Sequence, residues 1–596
     1  MAEYVAPMRD LSFVLFDLLD YSHVLALPGL EEATPDLIEA VLGEAGRLAT
    51  EVLSPLNRTG DVSHSQLQNG EVVTPEGWKE AYRLFVDGGW NSLAVDTEYG
   101  GQGLPWLVST AVQELWAGAN MSFGLCPLLT QGAVEALIRH GSKDLQARYL
   151  ENMISGEWTG TMNLTESQAG SDLAAIKTMA VPEGDHYRLH GQKIFITYGD
   201  HDLTENIIHM VLAKTPGAPS GVKGISLFLV PRNLLDEQGK PGQENDVTTV
   251  SLEHKMGIHA SPTAVLSYGD GDGAVGYLVG EIHEGLKYMF VMMNLARNAV
   301  GVQALGVAER SWQQALAYAS ERVQGQALEG GKSGVPIIEH PDVQRMLLSM
   351  KSQVEAMRTL DYYTALQLDC ALREADPDQR QASQALYDFL TPVVKGWSTE
   401  TAAQVVSTGL QVHGGMGYIE ETGAAQLHRD VRITTIYEGT TGIQAADLMG
   451  RKLLRDRGQT AQMLITQMRQ EQEASRASDP HLATTLGQAI DALEQATQSL
   501  LGKAAAGKLR NVFAVSVPYL MLWGVVGGGW LLIRSARIAA VKLQQPQADR
   551  NYLQGKITSA RFFADHQLTL TMGLATTVES GDATLAALDI DTLATA

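Results

Sequence analysis

The spacing of apolar residues changes twice along this chain, and this change restricts the fold more than any other sequence feature. Up to residue 157, segments rich in Ala, Leu and Glu, such as 34–51 and 107–118, have the spacing of amphipathic helices. Residues 158–283 instead hold short segments rich in β-branched and aromatic residues, at 186–190, 193–197, 225–230 and 264–268. Beyond residue 284, three- and four-residue spacing returns. Helices are therefore predicted on both sides of a β-domain.

Four domains follow from these changes, within a fold that is mainly α with a central β-domain. We predict an N-terminal helical domain (1–157), a middle β-barrel or β-sandwich domain (158–283), a C-terminal four-helix bundle (284–450) and an additional C-terminal helical domain (451–596). The last domain has 15 basic and 12 acidic residues, whereas the first 450 residues have 29 and 56. This difference in charge marks the tail as a separate unit, which begins with an amphipathic helical stretch at about 459–501. We expect the tail to cover the bundle.

The composition indicates a soluble protein of several domains and argues against nucleic-acid binding. The chain has 596 residues, 45% hydrophobic and 19% charged, with 68 acidic against 44 basic side chains. Such an excess of acid repels phosphate backbones and anionic lipid. Cys126 and Cys370 are far apart and match no disulfide or metal-binding spacing, so no metal site is predicted. Because the start of the chain also lacks the features of a signal peptide, we expect a cytoplasmic protein.

One apolar stretch leaves two interpretations open. Residues 512–533 contain no charged side chain over 22 residues, close to the length of a membrane-spanning helix. Pro518 and the run Gly527-Gly528-Gly529 disfavour a regular helix in either solvent. We favour a pair of buried core helices, with membrane contact as the alternative.

Two polar clusters border the predicted β-domain. The segment Leu164-Thr165-Glu166-Ser167-Gln168-Ala169-Gly170-Ser171-Asp172 combines hydroxyl groups with small residues that permit close approach of a polar ligand. The segment Gly191-Gln192-Lys193-Ile194-Phe195-Ile196-Thr197-Tyr198-Gly199 is a strand that ends in a turn. Taken singly, each segment indicates ordinary turn or strand structure more than a binding site.

A third cluster contains the best candidate for a base. Residues 411–418 read Gln-Val-His-Gly-Gly-Met-Gly-Tyr, and residues 429–441 include Ile436-Tyr437-Glu438-Gly439-Thr440. An apolar site raises the pKa of a carboxyl group by desolvation, which makes Glu438 a better base near neutral pH. A glutamate that only caps a helix is the alternative.

Together the three clusters resemble those of the acyl-CoA dehydrogenase family, in the same order and with similar separations. The resemblance covers about residues 60–450 and includes the loop at Tyr99-Gly100-Gly101, the segment Lys255-Met256-Gly257 and the pair Ala296-Arg297. The length and the helical tail are similar to the branch of 3-(methylthio)propanoyl-CoA dehydrogenases, which also holds enzymes for longer acyl chains. The resemblance implies FAD as the cofactor, held between the β-domain and the bundle.

This resemblance assigns roles to single residues. Positions that match flavin contacts are Thr165, Ser171, Phe195, Thr197 and Thr440. Arg322, Gln411 and Gly415 match residues that reach the FAD of a neighbouring subunit, which implies a homodimer. Ser171, Arg297 and Gly439 match the substrate side of the site. One departure concerns the aromatic residue that usually follows the arginine-x-glutamine string, because this chain reads Arg322-Val323-Gln324-Gly325.

Glu438 matches the family's catalytic base. Some members carry the base instead just before the arginine matched by Arg297, where this chain has Ala296. The implied reaction is α,β-oxidation of an acyl-CoA thioester to a trans-2-enoyl-CoA in fatty-acid β-oxidation, with electrons passed to an electron-transferring flavoprotein. The acyl group is left open between 3-(methylthio)propanoyl and a medium or long straight chain.

Two alternatives remain from the sequence. An acyl-CoA oxidase would use the same base and flavin but pass electrons to oxygen. A DNA-associated branch of the same fold uses a basic helical tail, for which this chain offers Lys503, Lys508, Arg510, Arg534, Arg537 and Lys542. Since the tail has only a small excess of bases, we consider the DNA-associated alternative remote and expect no nucleic-acid partner and no stable membrane insertion.

Overall fold

Helices form most of the chain on both sides of a β-domain, which confirms the predicted fold class. The computed structural model describes residues 4–328, 330 and 334–595. The N-terminal helices are α1 (Met8–Ser12), α2 (Tyr21–Leu25), α3 (Pro35–Arg47), α4 (Ser54–Ser63), α5 (Trp78–Asp87), α6 (Trp106–His140) and α7 (Lys143–Ser155). Strands β1 (Gln66–Gln68) and β2 (Glu71–Val73) form a hairpin between α4 and α5.

The middle of the chain forms an eight-stranded sheet that closes into a small barrel. Its strands are β3 (Trp158–Asn163), β4 (Met179–Glu183), β5 (His186–Thr197), β6 (Asn206–Lys214), β7 (Ile225–Pro231), β10 (Val247–Leu252), β11 (Thr263–Tyr268) and β12 (Ala274–Val279), while β8 (Asn233–Leu235) and β9 (Pro241–Glu244) form a separate hairpin. Antiparallel pairing runs from β4 through β5, β12 and β7 to β6, and a parallel contact between β6 and β4 closes the ring. The two predicted segments 186–190 and 193–197 are one continuous strand, β5.

Strand β6 shows why the barrel strands look so apolar in the sequence. Val211 and Ala213 belong to the core cluster that also holds Phe228, whereas Met210 and Leu212 belong to a second cluster that includes residues of α6 and α7. Both faces of the strand are therefore buried, and an uninterrupted apolar run is the expected signature of such a strand.

The second helical region contains thirteen helices among the described residues. They are α8 (Gly285–Glu321), α9 (Pro341–Arg373), α10 (Pro377–Val393), α11 (Thr399–His413), α12 (Ala424–Arg432), α13 (Thr441–Asp447), α14 (Gln459–Ser475), α15 (Pro480–Ala505), α16 (Leu509–Ala514), α17 (Ser516–Lys542), α18 (Arg550–His566), α19 (Thr571–Ser580) and α20 (Asp582–Ala586). The predicted stretch 459–501 is broken in two, because Asp479 caps α15 through the backbone N–H groups of His481 and Leu482 and Pro480 starts the new helix.

Two compact units account for the chain. Glu44–Ala299 form one, here called the sheet unit, and Met1–Gly43 together with Val300–Ala596 form the other, here called the bundle unit. The N-terminal 43 residues thus share their unit with the bundle and the tail. The predicted domain boundaries after residues 157, 283 and 450 were placed where the spacing of apolar residues or the charge changes, and they stay predictions.

The apolar stretch at 512–533 lies mostly in a single long helix, α17, instead of the expected pair of core helices. Its glycines allow close packing inside the bundle unit: a Cβ on Gly524 would lie 2.0 Å from Cγ of Trp397, and one on Gly529 would lie 2.6 Å from Leu568. On Gly528 it would meet both Trp397 and Ala356 of α9. The tail therefore packs on the bundle, as expected, and the glycines serve this packing.

Among the described residues, two helices are long and apolar enough to cross a membrane, α17 and α6. In each, 83% of the most apolar window is buried within the protein. Core helices of soluble proteins have the same composition, so this apolarity is accounted for by burial.

Candidate active site

The loop at 164–172 is organised by the buried carboxylate of Glu166. One oxygen of this carboxylate accepts hydrogen bonds from the Thr178 hydroxyl at 2.6 Å and from Lys193 Nζ at 2.8 Å. Its other oxygen accepts from the Lys177 backbone N–H at 2.6 Å. Burial would raise the pKa of Glu166, but Lys193 and these hydrogen bonds outweigh it and lower that pKa to about 2. The loop is thus held by a charged group that the sequence analysis did not single out.

Hydroxyl groups of this region are available to a ligand. Within the part of the chain that the structure describes, the side chains of Thr165, Ser171 and Thr197 make no hydrogen bond to another residue. Thr165 and Thr197 are half-buried and Ser171 is exposed. A Cβ on Gly170 would meet nothing within 4 Å, so there is open space beside the loop. Free hydroxyl groups beside open space fit a polar cofactor such as FAD.

Phe195 has an unusual conformation at the end of β5. The pairing of β5 with β11 is irregular between Lys193 and Ile196, which is a β-bulge. Phe195 lies in this bulge with φ of 60°, and its side chain is 59% exposed. Backbone strain of this kind is found at ligand-binding sites, so Phe195 is a candidate for contact with a ligand.

The candidate base lies in a tight loop before α13. Glu438 has φ of 55° and Gly439 has φ of 91°, so two successive residues adopt the left-handed conformation. Glycine adopts this φ of 91° without strain, and a Cβ on Gly439 would also lie 2.7 Å from Nε2 of Gln444. The Glu438 side chain is half-buried. Nearby, Thr440 caps α13 by accepting a hydrogen bond from the Ile443 N–H.

Three side chains hold this loop in place. Nζ of Lys395, which is fully buried, donates to the Gly439 carbonyl at 2.6 Å. Gln444 Nε2 donates to the Glu438 carbonyl at 3.0 Å. The Tyr437 hydroxyl donates to Gln303 Oε1, and burial followed by the nearby Glu438 charge keeps the pKa of Tyr437 well above its usual value.

Sequence reasoning missed Lys395, Gln444 and Gln303. The signal for Lys395 was present, because a lone lysine interrupts the otherwise uncharged run 389–399. Charged side chains are rarely buried without a partner, so such a lysine indicates a specific contact. Gln444 and Gln303 carry no comparable signal.

The predicted partner-subunit contacts lie near one another in the bundle unit. Arg322 follows the end of α8 and is exposed, and Gln411 is exposed in the last turn of α11. The ring of Tyr318, one turn before Arg322, stacks on His413 with 4.5 Å between centroids. This stacking brings the ends of α8 and α11 together. Gly415 follows in a short 3₁₀ helix, where a Cβ would meet nothing within 4 Å.

Arg297 lies in the sheet unit, in the part of α8 before residue 300. It is buried, and its guanidinium lies 5.8 Å from the ring centroid of Phe290. Its neighbour Ala296 is also buried and offers no acid–base group. Thr165, Ser171, Phe195 and Thr197 belong to the same unit, whereas Glu438, Gly439, Thr440, Arg322, Gln411 and Gly415 belong to the bundle unit. The roles assigned to all of these residues stay predictions.

Four family models match successive parts of the chain. They are the acyl-CoA dehydrogenase N-terminal domain (39–157), middle domain (161–270) and C-terminal domain (283–454), followed by the acetyl-CoA dehydrogenase C-terminal-like domain (464–589).

Similar proteins cover almost the whole chain. A 3-methylmercaptopropionyl-CoA dehydrogenase of Ruegeria pomeroyi is 49% identical over 95% of this chain and 96% of its own length. A broad-specificity linear acyl-CoA dehydrogenase of Mycobacterium tuberculosis is 34% identical over 99% of both chains. Among solved structures, an acyl-CoA dehydrogenase of Bacillus anthracis complexed with FAD has a TM-score of 0.74, with 21% identity over 98% of this chain and 93% of that one, which shows a common fold. The chain therefore belongs to the acyl-CoA dehydrogenase family, whose members are FAD-dependent oxidoreductases that act on a CH–CH group.

Proposed function

We propose that this enzyme oxidises the α,β bond of an acyl-CoA thioester to a trans-2-enoyl-CoA, with Glu438 as the base. The observation that carries the proposal is the Glu438 loop. Glu438 and Gly439 both have positive φ, and the carbonyl groups of both residues accept hydrogen bonds from buried side chains. These contacts fix the backbone from which the Glu438 carboxylate extends. Positioning of this kind contributes a large part of enzymatic rate enhancement.

Each residue of the loop has a defined task. The Glu438 carboxylate takes the α-proton, which is weakly acidic because only the thioester carbonyl stabilises the resulting negative charge. The backbone N–H of Glu438 is assigned as a hydrogen-bond donor to the thioester carbonyl oxygen, where negative charge develops. FAD, when bound, supplies the acceptor for the β-hydride. Lys395 and Gln444 donate hydrogen bonds to the carbonyl groups of the loop, and these bonds keep its backbone from rotating during proton transfer.

The proposed FAD site uses the residues singled out above. Thr165, Ser171 and Thr197 supply hydroxyl groups, Phe195 supplies an aromatic surface, and Thr440 is assigned to the flavin by the same resemblance. Arg322, Gln411 and Gly415 are assigned to the FAD of the second subunit of a homodimer. Exposed apolar side chains beside these last residues support the dimer, because such groups are expected at interfaces: Val323, Met416, Tyr418 and Ile419.

The proposed substrates are 3-(methylthio)propanoyl-CoA and medium or long straight-chain acyl-CoA, which present the same α and β carbons. The name of the Ruegeria relative supports the first, and that of the mycobacterial relative supports the second. The decisive measurement is the rate of flavin bleaching across an acyl-CoA series from short to long, together with the methylthio compound. A rate maximum at the methylthio compound supports it as the substrate, whereas a maximum at longer chains supports fatty-acid β-oxidation.

The proposed electron acceptor is an electron-transferring flavoprotein, with the enzyme acting in the cytoplasm. An oxidase would differ only in the acceptor. The enzyme can be reduced anaerobically with substrate and then reoxidised either by air or by the flavoprotein. Faster reoxidation by the flavoprotein supports the dehydrogenase, whereas rapid reoxidation by air supports the oxidase.

A DNA-associated role is less well supported by the structure than by the sequence, because three of the six basic tail side chains named above form ion pairs within the chain. Lys503 pairs with Asp582 at 2.9 Å, Arg537 with Glu471 at 2.7 Å and Lys542 with Asp17 at 2.5 Å. Bases already paired with acids of the same chain contribute little to phosphate binding. Salt-dependent duplex binding at low ionic strength would restore this alternative.

The assignment of the base is tested by Glu438→Gln, which keeps the volume and polarity of the side chain but removes its basicity. We expect the variant to retain FAD and to bind acyl-CoA, while flavin bleaching by substrate slows by ~10²-fold or more. Glu400→Gln in the same unit is the matched control, because Glu400 accepts a hydrogen bond from Thr441 and lies outside the proposed proton path. Bleaching of Glu438→Gln at nearly the wild-type rate would refute the assignment.

A further inference from the structure

Three side chains with metal-binding atoms meet in the bundle unit, among residues that the proposed reaction does not use. Cys370 and Glu374 are four residues apart at the end of α9, which places them on the same face of the helix. His23 comes from α2. His23 Nε2 lies 3.3 Å from a Glu374 carboxylate oxygen and 3.6 Å from Cys370 Sγ, and all three ligand atoms lie within 4.8 Å of one another.

Two of these separations agree with the edges of a tetrahedral zinc site. Zinc binds His nitrogen and carboxylate oxygen at about 2.1 Å and Cys sulfur at about 2.3 Å, so the edges of the tetrahedron are about 3.4 Å for nitrogen to oxygen and about 3.6 Å for nitrogen to sulfur. The two measured edges are 3.3 Å and 3.6 Å. We propose that His23, Cys370 and Glu374 bind a Zn²⁺ ion, with the fourth position open to water.

The chemistry of the three ligands selects this metal class. A set of one nitrogen, one sulfur and one oxygen suits the borderline-soft Zn²⁺, whereas Mg²⁺ and Ca²⁺ prefer oxygen alone. Cys370 is buried, the Glu374 side chain is 15% exposed and the His23 side chain is 50% exposed. The half-exposed imidazole of His23 leaves the ion a route of entry from solvent. On binding, the thiol proton is released to solvent and an S–Zn bond replaces the S–H bond, with no change of oxidation state.

Such a site would link the N-terminal segment to the bundle. α2 lies near the start of the chain, after α1, whereas Cys370 lies in the last turn of α9. The ion would therefore act as a structural clip within one unit. Because His23 and Cys370 are 347 residues apart in sequence, no local spacing motif indicates the site.

The test uses tag-free, FAD-loaded full-length protein that has been treated with a chelator and then titrated with Zn²⁺ or with Co²⁺ as a spectroscopic probe. We expect a single ion per chain by elemental analysis, a rise in Tm on addition of Zn²⁺, and a cobalt spectrum with thiolate charge transfer and tetrahedral bands. Cys370→Ser should lose the charge-transfer band and bind at least ~100-fold more weakly, since loss of an outer-shell partner alone costs about 10–100-fold.

Cys126→Ser is the matched control, because Cys126 is the other cysteine of the chain and is buried in α6 of the sheet unit. It should bind metal like the wild type. Should Cys370→Ser fail to fold, His23→Gln, which changes a half-exposed side chain, gives the same readout. The proposal is overturned if the wild type binds no metal, or if Cys370→Ser and His23→Gln both bind metal as the wild type does. The contact between His23 and Glu374 is then only a hydrogen bond. Flavin bleaching by substrate should be unaffected, so this result is separable from the proposed function.

Discussion

At the scale of single residues, two of the candidate site residues have a strained backbone. Phe195 and Glu438 both have positive φ, a conformation that costs about 1–3 kcal/mol for a residue with a side chain. Strain of this size persists only where surrounding contacts enforce it. For Glu438 these contacts come from Lys395 and Gln444, and for Phe195 the enforcing feature is the bulge in β5.

The first prediction concerns Lys395 as a positioning residue. Lys395→Met removes the donor to the Gly439 carbonyl but keeps the length and apolar stem of the side chain. We expect kcat to fall by ~10–100-fold through misplacement of the base, while KM and FAD content change little. Steady-state kinetics and the flavin spectrum measure this. Lys452→Met, at a partly exposed lysine of the same unit, should leave kcat unchanged. Unaltered kcat in Lys395→Met would show that the loop holds its shape without the lysine.

The second prediction concerns the Glu166–Lys193 pair in the sheet unit. Glu166→Gln leaves the Lys193 charge buried without its counter-ion, which should destabilise the protein by ~3–5 kcal/mol at neutral pH. Chemical denaturation measures this loss. The double variant Glu166→Gln/Lys193→Met removes both charges and should recover much of it. A double variant as unstable as the single one would contradict this account.

The same pair predicts a pH dependence. The pKa of Glu166 is about 2 in the folded protein and 4.5 ordinarily, so its stabilising effect is present above pH 4.5 and is lost as the pH falls toward 2. The slope of Tm against pH in this acidic range should therefore be smaller in Glu166→Gln than in the wild type. Equal slopes would mean that other carboxylates govern acid unfolding.

At the scale of elements, α17 shows how glycines can serve a buried helix. Glycine weakens a helix by roughly 0.5–1 kcal/mol relative to alanine when nothing else intervenes. Here Gly524 and Gly528 lie against the Trp397 side chain, and the close approach offsets the weaker helix through packing.

The third prediction separates these two effects of glycine. In Gly524→Ala the new Cβ would lie 2.0 Å from Trp397, so the overpacking should destabilise the protein by ~1–3 kcal/mol or more. Gly502→Ala is the control in α15, where a Cβ would meet nothing within 4 Å and should stabilise by ~0.5–1 kcal/mol. Thermal and urea unfolding measure both. A neutral Gly524→Ala would mean that Trp397 can move aside.

At the scale of the whole molecule, the two ends of the chain belong to one unit and share a buried ionic network. Lys556 of α18 lies 2.5 Å from Asp10 of α1 and 3.2 Å from Glu355 of α9. Burial alone would raise the pKa of Asp10, but Lys556, Arg358 and Lys351 outweigh it and hold that pKa well below its usual range. The start of the chain, the bundle and the tail are therefore coupled electrostatically.

The fourth prediction tests this coupling. Lys556→Met leaves the buried Glu355 carboxylate and the half-buried Asp10 carboxylate with fewer counter-charges, so stability should fall by ~3–5 kcal/mol. Limited proteolysis should then cut the N-terminal segment earlier than in the wild type. Lys287→Met removes an exposed ion pair with Glu284 and should change stability by only ~0–1 kcal/mol. Equal effects of the two substitutions would argue against the network.

The sequence by itself determined the fold class, the family and the candidate base, because periodicity and short motifs are local. The strands of the barrel and the long helices were recoverable from the spacing of apolar residues, and Glu438 was recoverable from a motif of five residues. The break at Asp479 and the single helix through Gly527 were not predicted. A helix cap or a close packing contact outweighs intrinsic helix propensity only where its partner groups are in place, and the sequence does not show which groups those are.

Only the tertiary structure decided which distant residues meet. The contact of Lys395 with Gly439, the network of Asp10 with Lys556 and the cluster of His23 with Cys370 each join segments that no periodicity links. Hydrogen bonds and ion pairs act over a few ångströms in space, whereas sequence patterns report neighbours along the chain. Folding alone brings such groups within that range.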